Sequence, residues 1–581
     1  MKNRSLRLPS LFCVLMLGFA LVVSRLYWLQ IVAADRFVAL AQDQRQRVVV
    51  LPPQRGSMYD RSGAEMAISM DMRTVYANPR FVSDAVAAAK AIAPILALDE
   101  AELTAKLSRR SGFVYLARKI HPKLANEIEA LQLPGIDTVA ESKRIYPGGA
   151  LASHVLGFVG FDNTGFGGLE QKYDSMLRGA PGEILTERDP QGRPIPVGKT
   201  FVKPSAPGQD LVLTIDRQVQ FTAETELAKA IKAYNAKGGS IVVMDPKNGE
   251  ILALANLPTF DPNNVRASTA IDRRNKVFQD AYEPGSANKV ITAAAAIENG
   301  VARPTDIYRV PSVFQLGSKL FKDSHAHPTV DMSFSQIIQE SSNVGTIKIA
   351  LGLGKQRLYD YLGAFGYGRP TGSGYPGESG GILPKPDKWY GAAIGTIPIG
   401  QGVAATPMQV MNVFSTLANG GVAVKPQLVE ALIDSAGHRK ELPASPEHRV
   451  IQKATADTLN TMLVGVTRGA DGTGRAADIP GYQVAGKTGT AQKPAPGGYA
   501  GYMASFFGYA PAGDPKFVVG VVLDDPTPIY GGLTSAVVFK NVMQFCLRRL
   551  GIGPGPVLPQ EGTPLPALVR SGGVASGNAR P

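Results

Sequence analysis

The chain opens on an apolar run, Leu8 to Val23, that continues amphipathically through Leu26, Tyr27, Trp28, Leu29 and Ile31. A core of roughly 20 apolar residues is long enough to cross a bilayer. It predicts one transmembrane helix, with Tyr27 and Trp28 at the far interface and Arg25 reaching toward it. Lys2, Arg4 and Arg7 precede the run, which places the N-terminus in the cytoplasm and the bulk of the chain outside. Val32-Ala33-Ala34 also resembles a small-residue cleavage site, so a cleaved signal peptide is the competing reading. The bulky aromatics directly before that site suit an interface and favour an uncleaved anchor.

Beyond the anchor, Arg55-Gly56-Ser57-Met58-Tyr59-Asp60-Arg61-Ser62-Gly63 is rich in turn formers and flanked by short β-type runs. Residues 82 to 135 read largely as helices, with apolar residues at helical spacing over 86–92, 100–107 and 124–131. Pro94 should end or kink the first. The pattern changes near Asp210. Leu211 to Ile215 is a strand pattern, and a helix follows from Arg217 to about Tyr234. Ser240–Met244 and Glu250–Ala255 are strand-like runs around Asp245-Pro246-Lys247-Asn248-Gly249, a hairpin signal. Helical segments fill the middle. Strand patterns return at Tyr482 to Ala485, Ser505 to Ala510 and Phe517 to Leu523. Strands at both ends with helices between predict an α+β domain around one antiparallel sheet. From Gly551 onward the chain is rich in Gly, Pro and Ser, and reads as a disordered tail.

Composition narrows this picture only slightly. At 581 residues the chain exceeds one ordinary core and should hold two or three domains. Its two cysteines, Cys13 in the apolar run and Cys546 near the last helix, cannot form a disulfide framework. The net charge of +13 would suit an anionic partner, but no long Lys/Arg block appears, so a scattered solvated surface is the simpler account. Nucleic acid is not among the expected partners.

Three short words carry the chemistry: Ser286-Ala287-Asn288-Lys289, Ser341-Ser342-Asn343 and Lys487-Thr488-Gly489-Thr490. Glu283-Pro284-Gly285 breaks the preceding structure, and Ser286 then begins a helix that Asn299-Gly300 closes. Lys289 stands one turn past Ser286 on the same face. A serine hydroxyl needs an adjacent base, and a buried lysine beside a second cation, here Lys487, can be one. Ser341 and Asn343 open a second helical stretch, Asn343 to Leu353. The hydroxyl can relay a proton, and the Asn343 amide can both donate to and accept from a peptide backbone. Lys487-Thr488-Gly489-Thr490 should form an edge strand facing the nucleophile. Lys487, Thr488 and Thr490 would hold a substrate carboxylate, and Gly489 would allow close approach. The Ser286 and Thr490 backbone N–H groups are the oxyanion-hole candidates. Alone, each word is ordinary: Ser-Ser-Asn is a common helix N-cap, for example. Together, in order and each on a suitable element, they are a site. His325-Ala326-His327 offers too few ligands for a metal centre and reads as a loop, and Asp524-Asp525 more simply ends a strand.

S-x-x-K, S-x-N and K-T-G resemble the signature of the penicillin-recognising serine acyl-transferases. The likeness spans almost the whole chain and is greatest to the class B penicillin-binding proteins. Arg55-Gly56 with Asp60-Arg61 and Gly63, Arg144 with Tyr146-Pro147 and His154, and Gly168-Leu169-Glu170 resemble that family's N-terminal motifs. Tyr282-Glu283-Pro284-Gly285-Ser286 is similar to its nucleophile region. Tyr530-Gly531-Gly532, Ser535-Ala536 and Val538-Phe539 resemble the C-terminal word of the septal FtsI type. The resemblance implies a tip and anchor over 1–34, a non-catalytic, elongated pedestal of the dimerisation type over 35–207, and a transpeptidase domain over 208–551. That domain would be an antiparallel five-stranded sheet with helices on both sides; 552–581 would be the tail. No glycosyltransferase domain is expected before the pedestal.

The implied activity is a serine D,D-transpeptidase working without metal or cofactor, membrane-anchored with its catalytic domain on the periplasmic or extracellular side. Ser286 would attack the carbonyl between the terminal D-alanines of a stem pentapeptide on lipid-linked nascent glycan, with Lys289 as base and Ser341 as shuttle. β-Lactams would trap Ser286. A SEDS-family glycosyltransferase and other divisome membrane proteins are the implied partners. The chain departs from the family at Ala287, where threonine is common, and at Asn288, where an apolar residue is frequent. A β-lactamase or D,D-carboxypeptidase remains a rival reading, although no extra carboxylate motif for a deacylating water is evident. So does a divisome scaffold that keeps the fold without the chemistry.

Overall fold

The computed structural model describes residues 7–38, 46–187 and 201–555. Lys2, Arg4 and the tail beyond residue 555 lie outside the described residues. The N-terminal helix covers Arg7–Tyr27 and widens into a π turn over Trp28–Val32. Leu8–Val32 is long and apolar enough to cross a membrane, and none of its most apolar window is buried by protein. The Arg25 guanidinium lies 4.6 Å over the Trp28 ring, so the charge is carried at the aromatic end of this helix.

The chain forms two compact units that interleave in sequence. The smaller draws on residues up to 55, 69–143 and 178–208. Three helices appear where the apolar spacing put them: Ala85–Leu96, Glu100–Leu107 and Pro122–Ala130. Asp84 and Asp99 cap the first two by accepting from backbone N–H groups of the opening turn. The first helix runs two residues past Pro94 before ending at Ala97 with φ +52°. The missing proline N–H falls in the final turn, where only one intrahelical bond is forfeited. Between the second and third helices lies a strand, Val114–Ile120, inside a region expected to be mostly helical. It pairs antiparallel with Glu65–Ala77 and buries Val114 and Leu116 against Val75, Ala89, Ile92 and Leu103.

The larger unit comprises residues 56–68, 144–177 and 209 onward. At its centre is a five-stranded sheet of β1 (Gly238–Met244), β2 (Ile251–Leu257), β3 (Ala485–Ala495), β4 (Gly498–Ala510) and β5 (Phe517–Asp524). The spatial order is β2-β1-β5-β4-β3, antiparallel at every step. The near-continuous apolar runs of β1 and β5 follow from burial on both faces. Ile241, Val243, Val519 and Val521 face α1 (Arg217–Ala233). Val242, Met244, Val518 and Val522 face a core that includes α2 (Lys289–Glu298) and α3 (Asn343–Leu353). The fold is thus the α+β arrangement expected, with the sheet sandwiched between helical layers.

Three of the N-terminal words meet in one buried knot of this unit. Arg144 Nε donates to Glu170 Oε1 at 2.7 Å, Arg144 Nη1 donates to the Gly56 carbonyl at 2.7 Å, and the Tyr146 hydroxyl donates to the same Glu170 oxygen at 3.2 Å. The side chains of Arg144 and Glu170 are 3% and 0% exposed, so this ion pair is essentially dry and breaking either half would strand a charge.

Candidate active site

Ser286 sits in a 3₁₀ turn, Gly285–Asn288, that runs directly into α2. Gly285 has φ +55°, and a Cβ on it would lie 2.9 Å from the Thr490 carbonyl and 3.0 Å from Ala491 Cβ. Only glycine lets the turn that carries Ser286 press this closely on β3. Lys289, the first residue of α2, is fully buried. Its Nζ donates to the Ser341 carbonyl and to Asn343 Oδ1 at 2.7 Å, and lies 3.2 Å from Ser341 Oγ. The first two words therefore converge on one nitrogen. Burial drags Lys289 from the ordinary 10.5 down to about 7, with the Asp323 carboxylate opposing the shift.

Ser341 reaches this position by a backbone device. The helix Phe334–Gln339 starts with a Ser333/Gln336 capping box, and α3 begins three residues beyond Glu340, at Asn343. Ser341 bridges the two with φ +62°, a left-handed conformation costing a non-glycine residue about 1–2 kcal/mol. The kink turns both its carbonyl and its hydroxyl to Lys289. Ser342 is the N-cap of α3, accepting from Gly345 N at 2.9 Å. The N-cap reading of Ser-Ser-Asn is thus correct for Ser342, and Ser341 and Asn343 are free for the site.

β3 is an edge strand, as its sequence suggested. Alternation along it separates the residues of the third word. Thr488 and Thr490 look into a cavity of about 540 Å³, which Ser286, Ser341 and Asn343 also line. Lys487 is fully buried, 3.4 Å from Thr488 Oγ1. Burial and the neighbouring Lys289 charge push it well below the ordinary lysine value. Gly489 also earns its place by packing: a Cβ there would meet Ser505 Oγ at 2.3 Å and the Pro284 carbonyl at 3.2 Å. The close approach is therefore to the protein's own backbone and side chains.

The family model for the penicillin-binding protein transpeptidase domain matches residues 239–544, and that for the penicillin-binding protein dimerisation domain matches 50–213. The chain is 33% identical over 585 residues to penicillin-binding protein PbpB of Mycobacterium tuberculosis, covering 95% of this chain and 86% of that protein. It belongs to the class B penicillin-binding proteins. Peptidoglycan D,D-transpeptidase FtsI of Escherichia coli K12 is 34% identical over 555 residues, covering 93% of this chain and 91% of that protein. A crystal structure of penicillin-binding protein 3 from M. tuberculosis, complexed with aztreonam, superposes with a TM-score of 0.70 at 31% identity, over 89% of this chain and 100% of that one.

Several residues of this penicillin-binding protein's cavity escaped the sequence reading. Thr473 Oγ1 lies 3.0 Å from Thr488 Oγ1, and Gln401 and Tyr530 also line the wall. Tyr530 stands in a word noted for its resemblance, whereas Thr473 and Gln401 arrive from loops with no local signature beyond flanking glycines. Asp323 was missed altogether. Its Oδ1 accepts from the backbone N–H groups of Asn343 and Val344, and its Oδ2 accepts from Ser342 Oγ at 2.7 Å. His325 lines the cavity and His327 bonds to Asp323. No group of three or more His, Cys, Asp or Glu side chains that could hold a metal occurs among the described residues. Of the two departures, Ala287 is buried in the main core. Asn288 is fully buried and donates from Nδ2 to the Ile397 carbonyl at 2.8 Å.

Proposed function

We propose that this penicillin-binding protein is a peptidoglycan D,D-transpeptidase whose nucleophile is Ser286. The observation that carries the reading is the environment of Lys289. A neutral lysine amine has two N–H donors and one lone pair. Two of its three partners, the Ser341 backbone carbonyl and the Asn343 side-chain amide oxygen, can only accept, and the third is a hydroxyl that can donate. This set accommodates a neutral amine poised as a base, and burial brings Lys289 to about 7, where about half of it is neutral at pH 7.

In the reaction, Ser286 Oγ attacks the carbonyl between the two terminal D-alanines as its proton passes to Lys289 Nζ. The Ser286 and Thr490 N–H groups stabilise the developing oxyanion. The proton then moves by way of the Ser341 hydroxyl to the departing amine, the C–N bond breaks, and D-alanine leaves with an ester on Ser286. An amine of a neighbouring stem attacks that ester, gives up its proton along the same path and restores the Ser286 hydroxyl. Thr488 and Thr490 hold the substrate's terminal carboxylate. The buried Lys487 stands on the same strand beside Thr488, and burial is what holds Lys289 below its ordinary value.

The chain's likeness to FtsI and PbpB supports septal wall synthesis, with a SEDS-family glycosyltransferase and other divisome membrane proteins as partners. In the same reading the apolar helix is a single-pass anchor in the cytoplasmic membrane, and residues 35–207 and 208–551 form pedestal and catalytic domain outside it. Intact-mass spectrometry of the full chain with benzylpenicillin, followed by peptide mapping, tests the chemistry. A long-lived adduct on Ser286 is expected. Rapid turnover without accumulation would instead mark a β-lactamase, and a folded protein with neither would be a scaffold.

A further inference from the structure

Asp323 makes more contacts to the second catalytic word than any residue of the word makes to itself. Its carboxylate takes four hydrogen bonds: from Asn343 N and Val344 N on one oxygen, and from Ser342 Oγ and His327 Nε2 on the other. That fills the roughly four lone-pair sites an ionised carboxylate offers. The acceptor lies at the N-terminus of α3, where unpaired N–H groups and the helix dipole favour a negative charge. Asn343 is thereby held at its backbone by Asp323 and at its side chain by Lys289 Nζ and the Lys322 carbonyl.

His327 completes the arrangement. Its Nε2 faces Asp323 Oδ2 at 3.1 Å and its Nδ1 faces the Pro328 carbonyl at 2.6 Å. Both ring nitrogens thus address oxygen acceptors, and only the doubly protonated ring can donate to both.

We infer that Asp323 and His327 form a positioning pair for the transpeptidase site. The carboxylate fixes the Ser341–Asn343 backbone against Lys289, and the imidazolium fixes and balances the carboxylate. This rests on the proposed role of Lys289 as base. The charged groups facing the pair are few. Glu340, at the end of the helix Phe334–Gln339, acts on His327, and Asp471 acts on Glu340. Lys289 feels Asp323, and Lys487 feels Lys289. The Pro328 carbonyl chiefly, with Asp323 and Glu340, holds His327 above its ordinary value against partial burial.

Two substitutions should act in opposite directions. Asp323→Asn removes a negative charge that stabilises the Lys289 ammonium, so the acid limb of the acylation profile moves to lower pH. His327→Gln leaves that negative charge unbalanced, so the limb moves to higher pH. Shifts of about 0.5 unit or more are expected for a charge this near a buried amine. Asp323→Asn should also lower the plateau rate, and Asp323→Glu should restore the limb. The measurement is the rate of Ser286 adduct formation with benzylpenicillin, by intact mass, on the full chain in detergent from pH 5.5 to 8.5. Limbs that coincide with the parent's, or that move in the same direction, overturn the inference. If Asp323→Asn does not fold, His327→Gln decides alone, because a merely structural loss would not raise the limb. A parent chain that forms no adduct would refute the transpeptidase reading and this one with it.

Discussion

Acylation of Ser286 should depend on pH as the deprotonation of Lys289 does. A lysine with the ordinary value of 10.5 is neutral in about 0.03% of molecules at pH 7, whereas one brought down to about 7 is neutral in about half, a gain on the order of a thousandfold. The displacement of about 3.5 units corresponds to roughly 5 kcal/mol of preference against the buried ammonium. The neutral fraction is about 10% at pH 6 and about 90% at pH 8, so the second-order acylation rate constant should fall nearly tenfold between them. Stopped-flow or quenched mass spectrometry with benzylpenicillin, at substrate well below saturation, reads this rate constant for the free protein. The expected profile has unit slope below pH 6.5 and levels off above 7.5. A flat profile from pH 6 to 8, or a limb near the ordinary lysine value, would refute the assignment of Lys289 as a base tuned by burial.

The same burial has a sign for stability. The folded Lys289 titrates below its unfolded value, so the unfolded chain binds more protons between about pH 7 and 10.5 and stability rises with pH through that window. Relative to Lys289→Met, the parent's larger unit should gain about 2 kcal/mol from pH 7.5 to 9, measured as the change in their difference in urea unfolding. Ser341→Gly should relieve the strain of φ +62° and stabilise the fold by about 1 kcal/mol, while slowing acylation by about a hundredfold or more through loss of the relay hydroxyl. A thermal melt and the adduct assay on the same sample check both halves. Gly489→Ala would force a Cβ to within 2.3 Å of Ser505 Oγ, so it should cost about 1–3 kcal/mol and reduce acylation together, read by the same two assays.

Much of the catalytic unit was legible in the sequence because its signals are local. The β1–β2 hairpin follows from two short apolar runs around an Asp-Pro-Lys-Asn-Gly turn, and α3 begins and ends where Asn343 and Leu353 place it. β4 was harder. The expected strand covered only Ser505 to Ala510, yet it starts at Gly498 because pairing with β3 overrides the weak propensity of Gly498-Tyr499-Ala500-Gly501. The strand Val114–Ile120 was hidden for a related reason: only two of its residues alternate cleanly, and its partner lies forty residues away in the chain. Within the site, the three words named the groups that converge, but not their facing. That Lys487 is buried while Thr488 meets the cavity depends on which face of β3 meets the core. Asp323 was invisible because its whole significance lies in bonds to residues about twenty positions later.

The placement of the nucleophile's turn against β3 ties solubility to catalysis. A sheet edge with free N–H and C=O groups is a template on which a foreign strand can add, and such edges invite aggregation unless something blunts them. Here the 3₁₀ turn that carries Ser286 is packed onto that edge at Thr490 and Ala491, so the element that would supply the proposed nucleophile also guards the strand. Selection for a correctly seated nucleophile and selection against self-association therefore act on the same few contacts. Variants that loosen Gly285 or Gly400, whose Cβ would strike the Gly285 carbonyl, would lose both properties at once.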